Sequence, residues 1–132
     1  MRIVIDTNVI ISALFYGGLP NTLLELVAKG RVKPVASNEI ISEYKEIVER
    51  ISDRTGKLGK ATAFNVLLSK IDLICSTTKI SASRDPDDDK FISCAIDGKC
   101  KYIVSGDKDL LDLKSFENVE IVTVSSFLEE FI

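Results

Sequence analysis

Ile3, Val4 and Ile5 form an unbroken apolar run that stops on Asp6. A strand that is apolar on both faces belongs inside a parallel sheet covered by helices on each side. The same grammar recurs along the chain. Residues 31–36, 72–75, 102–105 and 120–124 read as further strands, and helical stretches separate them. One helix starts near Val9 and is broken at 17–20, where two glycines precede Leu19 and Pro20; a second covers about 21–29. Ser37 caps an amphipathic helix with Ile40, Ile41, Tyr44, Ile47, Val48 and Ile51 on one stripe. The polar, glycine-bearing stretch 53–59 reads as a loop or helix break, followed by helices over about 60–69, 85–97, 108–113 and 125–131. Strands alternating with helices predict a three-layer α/β fold with a mostly parallel sheet, in one domain spanning residues 1–132.

What lies at the ends of these strands narrows the chemistry. Asp6 follows the first strand, Asp107 follows the strand at 102–105, and Asp85, Asp87, Asp88 and Asp89 open the helix at 85–97. Open α/β sheets place their sites at the carboxyl ends of the strands, so these acids are expected at one edge. Carboxylates that converge repel one another unless a hard cation holds them, and Mg²⁺ or Mn²⁺ is the usual occupant of an all-oxygen site.

Composition removes the main competitors. The 132 residues contain no histidine, which excludes His-based nucleophilic triads and His-ligated zinc. Cys75, Cys94 and Cys100 are odd in number and form no C-x-x-C pair, so no disulfide framework or zinc site is indicated. Cys75 and Cys94 read as small core residues. No apolar run approaches the roughly 20 residues that span a bilayer, and Asp6 comes too early for a signal peptide; the expectation is a cytoplasmic protein with no membrane partner. The net charge of −3 lacks the basic surplus of a typical nucleic-acid binder.

Each acid also has an ordinary structural explanation. Asp6 can cap the first helix. Glu43 lies on the flank of the apolar stripe of its helix, either at an exposed rim or facing a cleft. Asp85 with Pro86 makes a standard helix start, although four carboxylates in five residues exceed what capping needs. Asp107 can cap the short helix that follows it. All of these readings together, at the strand ends and helix starts of one sheet, favour a site.

Four stretches, I-V-I-D-T-N-V at 3–9, S-N-E-I-I-S-E-Y at 37–44, D-P-D-D-D-K-F at 85–91 and I-V-S-G-D-K-D-L at 103–110, come in an order and spacing that resemble the PIN-domain family, especially its small toxin members from toxin–antitoxin pairs. The similarity covers nearly the whole chain. The resemblance implies a five-stranded, mostly parallel sheet in the order 3-2-1-4-5, with the switch point between strands one and four. It carries the family's acidic quartet of catalytic and metal-binding residues onto Asp6, Glu43, Asp89 and Asp107. Asp89 is chosen over Asp88 by its spacing to the last motif. Asn8, Ser105 and Asp109 match supporting positions.

The function so implied is metal-dependent hydrolysis of single-stranded RNA phosphodiesters, by an endoribonuclease that uses one or two Mg²⁺ or Mn²⁺ ions. The partners it implies are a homodimeric second copy and a cognate antitoxin. Arg50, Arg54, Lys57 and Lys60 form a basic stretch that could track a phosphate backbone. Two alternatives stay open: an RNA-processing PIN nuclease without antitoxin, and a non-catalytic metal- or partner-binding scaffold. A phosphatase with an aspartyl nucleophile is disfavoured, because it wants a second Asp two residues after Asp6 and Asn8 stands there.

Overall fold

The register between β1 (Arg2–Ile5) and β4 (Tyr102–Val104) organises this chain: the two strands run parallel, with Ile3 opposite Tyr102 and Ile5 opposite Val104. The next residues on each strand, Asp6 and Ser105, therefore leave the sheet side by side. Ile3, Val4, Ile5, Ile103 and Val104 are all buried, as a doubly covered central pair requires. The computed structural model describes residues 1–56 and 61–131.

On one side of this pair lie β2 (Lys33–Ala36) and then β3 (Asp72–Leu73); on the other lie β6 (Val119–Val122) and then β5 (Ser115–Phe116). The sheet order is β3-β2-β1-β4-β6-β5, parallel except for the antiparallel β5–β6 pair. The expected order 3-2-1-4-5 is present, and among the described residues the expected count of five is corrected to six. The extra strand is a two-residue edge, too short to leave a periodic signal. It turns back through Glu117, whose φ of 53° puts it in the left-handed region. Chain connections leave β1 and β4 in opposite directions, so the switch point of the sheet falls between them.

The helices are α1 (Thr7–Phe15), α2 (Leu19–Ala28), α3 (Asn38–Thr55), α4 (Ala61–Lys70), α5 (Asp89–Asp97), α6 (Lys108–Leu111) and α7 (Val124–Phe131). Ser37 caps α3 as its sequence predicts, its Oγ accepting from the Ile40 amide at 3.4 Å. α3 does not break at Asp53. It runs through Arg54 and Thr55 and stops where Gly56 turns left-handed, at φ 69°, the common C-terminal stop of a helix. The stretch expected as one helix over 85–97 is divided: Pro86–Asp88 is a 3-10 turn, and the α-helix starts at Asp89. Cys94 and Cys100 are buried, but Cys75 is exposed, because β3 ends at Leu73 and leaves Cys75 in the following loop. Among the described residues, no single helix is long and apolar enough to cross a membrane.

Candidate functional site

Asp6 ends β1 and stands at the N-cap position of α1, yet its side chain makes no capping hydrogen bond. Its Oδ2 accepts instead from the Ser105 hydroxyl at 2.8 Å, and Ser105 Oγ in turn accepts from the Asp107 amide at 2.9 Å. The two strand ends are thus tied together at the point where the β1–β4 register sets them side by side. Asp6 is 5% exposed. Burial raises its pKa above the ordinary carboxylate range against the lowering effect of the Ser105 hydrogen bond. The charge of Asp107 adds to the rise, the Asn8 amide lowers it, and the charge of Glu43 raises it again.

A third acid reaches this pair from the start of α5, and it is Asp88. Its pKa is pushed up to about 8, first by burial, then by a hydrogen bond with Asp107 and by the charges of Asp107, Asp6 and Asp85. Like charges at close range resist being ionised together, and this favours the protonated form of Asp88. Asp88 Oδ2 is buried with no hydrogen-bond partner. Buried polar oxygens rarely go unpaired, so this one is an acceptor suited to a donor or a cation.

Asp89, the residue that the family spacing selects, is engaged elsewhere. Its Oδ1 accepts from the Ala82 amide at 3.2 Å and the Ser83 amide at 2.8 Å, which fastens the loop before the 3-10 turn. The reason is local geometry. The 3-10 turn over Pro86–Asp88 winds more tightly than the α-helix assumed from the sequence, so Asp88 and Asp89 project differently from two successive residues of one continuous helix.

Glu43 is held from both sides: Thr7 Oγ1 donates to its Oε2, and Lys90 Nζ lies 3.0 Å from its Oε1. Neighbouring Tyr44 is buried and donates its hydroxyl to the Ile5 carbonyl, which docks α3 beside the end of β1. Glu43 is 31% exposed, so it occupies the cleft side of the flank that helical geometry assigns to it.

Of the supporting positions, Ser105 is buried in the site and Asn8 is exposed on the first turn of α1. Asp109 pairs with Arg84 at 2.9 Å, and Asp85, Asp88 and Asp109 each present an oxygen within 4.8 Å of the others. Arg84 also reaches Asp112 at 2.5 Å. In the basic stretch, Arg50 pairs with Glu46 at 2.9 Å along α3, and Arg54 is exposed in its last turn; Lys57 and Lys60 lie outside the described residues. Sequence reasoning missed Thr7, Lys90 and Arg84. The signal for Lys90 was its place directly after a run of acids, a cation where like charges need one.

An open groove of about 460 Å³ is lined among others by Ser37, Asn38, Asp87, Asp89, Lys90 and Ser93; Asp6, Glu43, Asp88 and Asp107 are not part of its lining. Lys90 connects the groove to the acids through its ion pair with Glu43, and the unpaired oxygen of the acids is the buried Asp88 Oδ2. Asp85, Asp88 and Asp109 bring oxygens within 4.8 Å of one another, Asp6 and Asp107 act on Asp88 from the strand ends, and all of these are donors of the kind a hard divalent cation prefers.

The PIN domain family model matches residues 2–109 of this chain. The chain belongs to the PIN domain family. PIN domains are generally nucleases, hydrolases of phosphodiester bonds. An uncharacterized protein of Methanocaldococcus jannaschii is 31% identical over 99% of this chain and 92% of its own length. A chain in the crystal structure of VapBC2 from Rickettsia felis, bound to a DNA fragment from their promoter, superposes with a TM-score of 0.61 at 17% identity. The overlap covers 92% of this PIN domain and 97% of that chain, and the likeness is one of fold.

Proposed function

We propose that this PIN domain is a divalent-metal-dependent endoribonuclease that cuts single-stranded RNA, the toxin of a toxin–antitoxin pair. The observation that carries the reading is the buried, unpartnered Oδ2 of Asp88, on a carboxyl group that is hydrogen-bonded to Asp107 and feels the charge of Asp6. Asp88 stands among acids, with Asp85 and Asp109 oxygens within 4.8 Å and the charges of Asp6 and Asp107 acting on it; such a centre asks for a cation, and a phosphodiester is the substrate it suits.

Asp6, Asp88 and Asp107, with Glu43 beside them, would hold Mg²⁺ or Mn²⁺. When bound, such an ion lowers the pKa of a water and offsets the charge that grows on the phosphate and leaving oxygen. The chain's own residues prepare the ground for this. Ser105 fixes the orientation of Asp6 and is itself fixed by the Asp107 amide. Thr7 and Lys90 hold Glu43. The groove that Lys90 lines leaves room for a backbone that can bend, which favours a single strand. The family membership and the fold likeness to a chain of VapBC2 support the toxin role, with an antitoxin and a second copy of the chain as partners.

The test is cleavage of a labelled single-stranded RNA pool by wild type, Asp6→Asn and Asp88→Asn, each with Mn²⁺, Mg²⁺ or EDTA. Cutting by wild type that needs the metal, with a loss of at least about 10²-fold in both folded variants, is the expected result. Equal cutting by all three proteins would put the activity elsewhere.

A further inference from the structure

The groove of about 460 Å³ opens beside Lys90 but contributes nothing to the chemistry of the acids. Its lining is held in place. Asp97 anchors one part by accepting from the Ser76 hydroxyl at 3.1 Å and from the Thr77 and Thr78 amides at 2.8 and 3.0 Å. Another part is the start of α3, where Ser37 Oγ accepts from the Ile40 amide at 3.4 Å and Asn38 is exposed at the first helical position. Ser93, three residues beyond Lys90 on α5, also lines the groove and is 8% exposed. Among the described residues its hydroxyl has no hydrogen-bond partner. A hydroxyl so enclosed normally finds one, and this one opens on the groove.

The lining decides what kind of group fits. Glu39, Asp87 and Asp89 stand against Lys79 and Lys90, and Lys90 is already engaged by Glu43, by the Asp87 carbonyl and by the Phe91 ring. That balance repels a phosphate. Ile74, Ile80 and Pro86 supply apolar surface instead, and Ser93 and Asn38 supply neutral hydrogen-bonding groups. Such a lining suits a flat heterocycle, and the volume falls in the range of about 300–1,000 Å³ typical of small-ligand sites. Single-stranded RNA presents a heterocycle of this kind wherever a base leaves its stack. Resting on the nuclease reading above, we propose that this groove receives one unstacked base of the RNA, whose edge hydrogen-bonds to the Ser93 hydroxyl and the Asn38 side chain, and so selects where the strand is cut. The ion pair of Lys90 with Glu43 joins the groove to the acids, so the base read here is a near neighbour of the cut bond.

Cys75 makes the proposal testable without any cutting. It lines the groove and is exposed, whereas Cys94 and Cys100 are buried, so its alkylation by iodoacetamide reports what fills the groove. The probes are a short mixed-sequence RNA and an abasic RNA of the same length and charge, in EDTA at low salt, with binding followed by fluorescence anisotropy. At about ten times its Kd, the intact RNA is expected to slow alkylation of Cys75 about tenfold, and the abasic RNA to leave it unchanged. With Mn²⁺ and a random RNA pool, the sequenced ends from wild type should show a preference of about tenfold for a base at a fixed distance from the cut. Ser93→Ala, which favours the helix, and Asn38→Ala should each flatten it. Equal protection by both RNAs would put the phosphate backbone in the groove and overturn the proposal. Bound RNA that leaves Cys75 reactive, or a preference that survives both substitutions, would overturn it too while leaving the nuclease reading intact. RNA that is neither bound nor cut would sink both.

Discussion

At the scale of single residues, Asp88 and Asp89 are the sharpest case. In the sequence they are adjacent carboxylates in one acidic run, and no pattern of apolar residues separates them. What separates them is the change from 3-10 to α geometry at Asp89, which aims Asp88 at Asp107 and leaves Asp89 to hold the Ala82 and Ser83 amides. Asp6 and Asp107 were easier to read, because the end of a buried strand fixes where a residue emerges. Two substitutions test the difference. The pKa of Asp88 is raised to about 8 in the fold and is about 3.9 in an unfolded chain. Between those values the folded state keeps a proton that the unfolded state has lost, so this group makes stability fall as pH rises across the window. Asp88→Asn removes that dependence. Without metal at pH 8 it is expected to melt above wild type, by roughly 3–5 °C if the gain is about 1 kcal/mol, with the gap closing toward pH 4. It should also lose the rise in melting temperature that Mn²⁺ gives wild type. Asp89→Asn should keep that rise and melt lower, from the loosened loop; a thermal scan of the two proteins with and without Mn²⁺ decides it.

At the scale of elements, helices with a wide apolar stripe were legible and short edges were not. α3 shows its stripe and its Ser37 cap in the sequence, and only its end was misread, because Gly56 and not the polar Asp53 stops it. β5 has two residues and no period to detect. The loop from β3 to the 3-10 turn was also invisible, since its shape is set by carboxylates that reach back from α5. Asp97, at the C-terminal end of α5, accepts from the Thr77 amide at 2.8 Å, the Thr78 amide at 3.0 Å and the Ser76 hydroxyl at 3.1 Å, and from the Thr78 hydroxyl. These hydrogen bonds, led by that of the Thr78 side chain, lower its pKa. The sign here is opposite to that of Asp88. A carboxylate whose folded pKa is depressed adds stability above its unfolded value, about 3.9, and loses it as pH falls through the folded one. Asp97→Asn is therefore expected to lower stability at pH 6 and to speed proteolysis within the loop. Its deficit should shrink to nothing as both proteins are acidified below the folded pKa of Asp97. A deficit that stays constant through the acid range would mean that Asp97 holds the loop without its charge.

For the molecule as a whole, the order of strands brings the β1 and β4 ends together, and the acids that meet there oppose the fold until a cation arrives. A net charge of −3 understates this, because the repulsion is local. The sheet bears it because Ile3, Val4, Ile5, Ile103 and Val104 are fully enclosed, so the strand ends cannot splay to separate the carboxylates. The proton that Asp88 keeps up to about pH 8 is the metal-free answer to that strain, and a metal ion bound there has to displace it. Mn²⁺ binding should thus release close to one proton per ion at pH 6–7 and much less above about pH 8, where the Asp88 proton is already gone. The apparent affinity should rise with pH over the same span and then level off. Calorimetric titrations in two buffers of different ionisation enthalpy measure the proton count directly. A count near zero at pH 6 would mean that the ion enters without touching Asp88, and the centre would have to be drawn around Asp6, Glu43 and Asp107 alone.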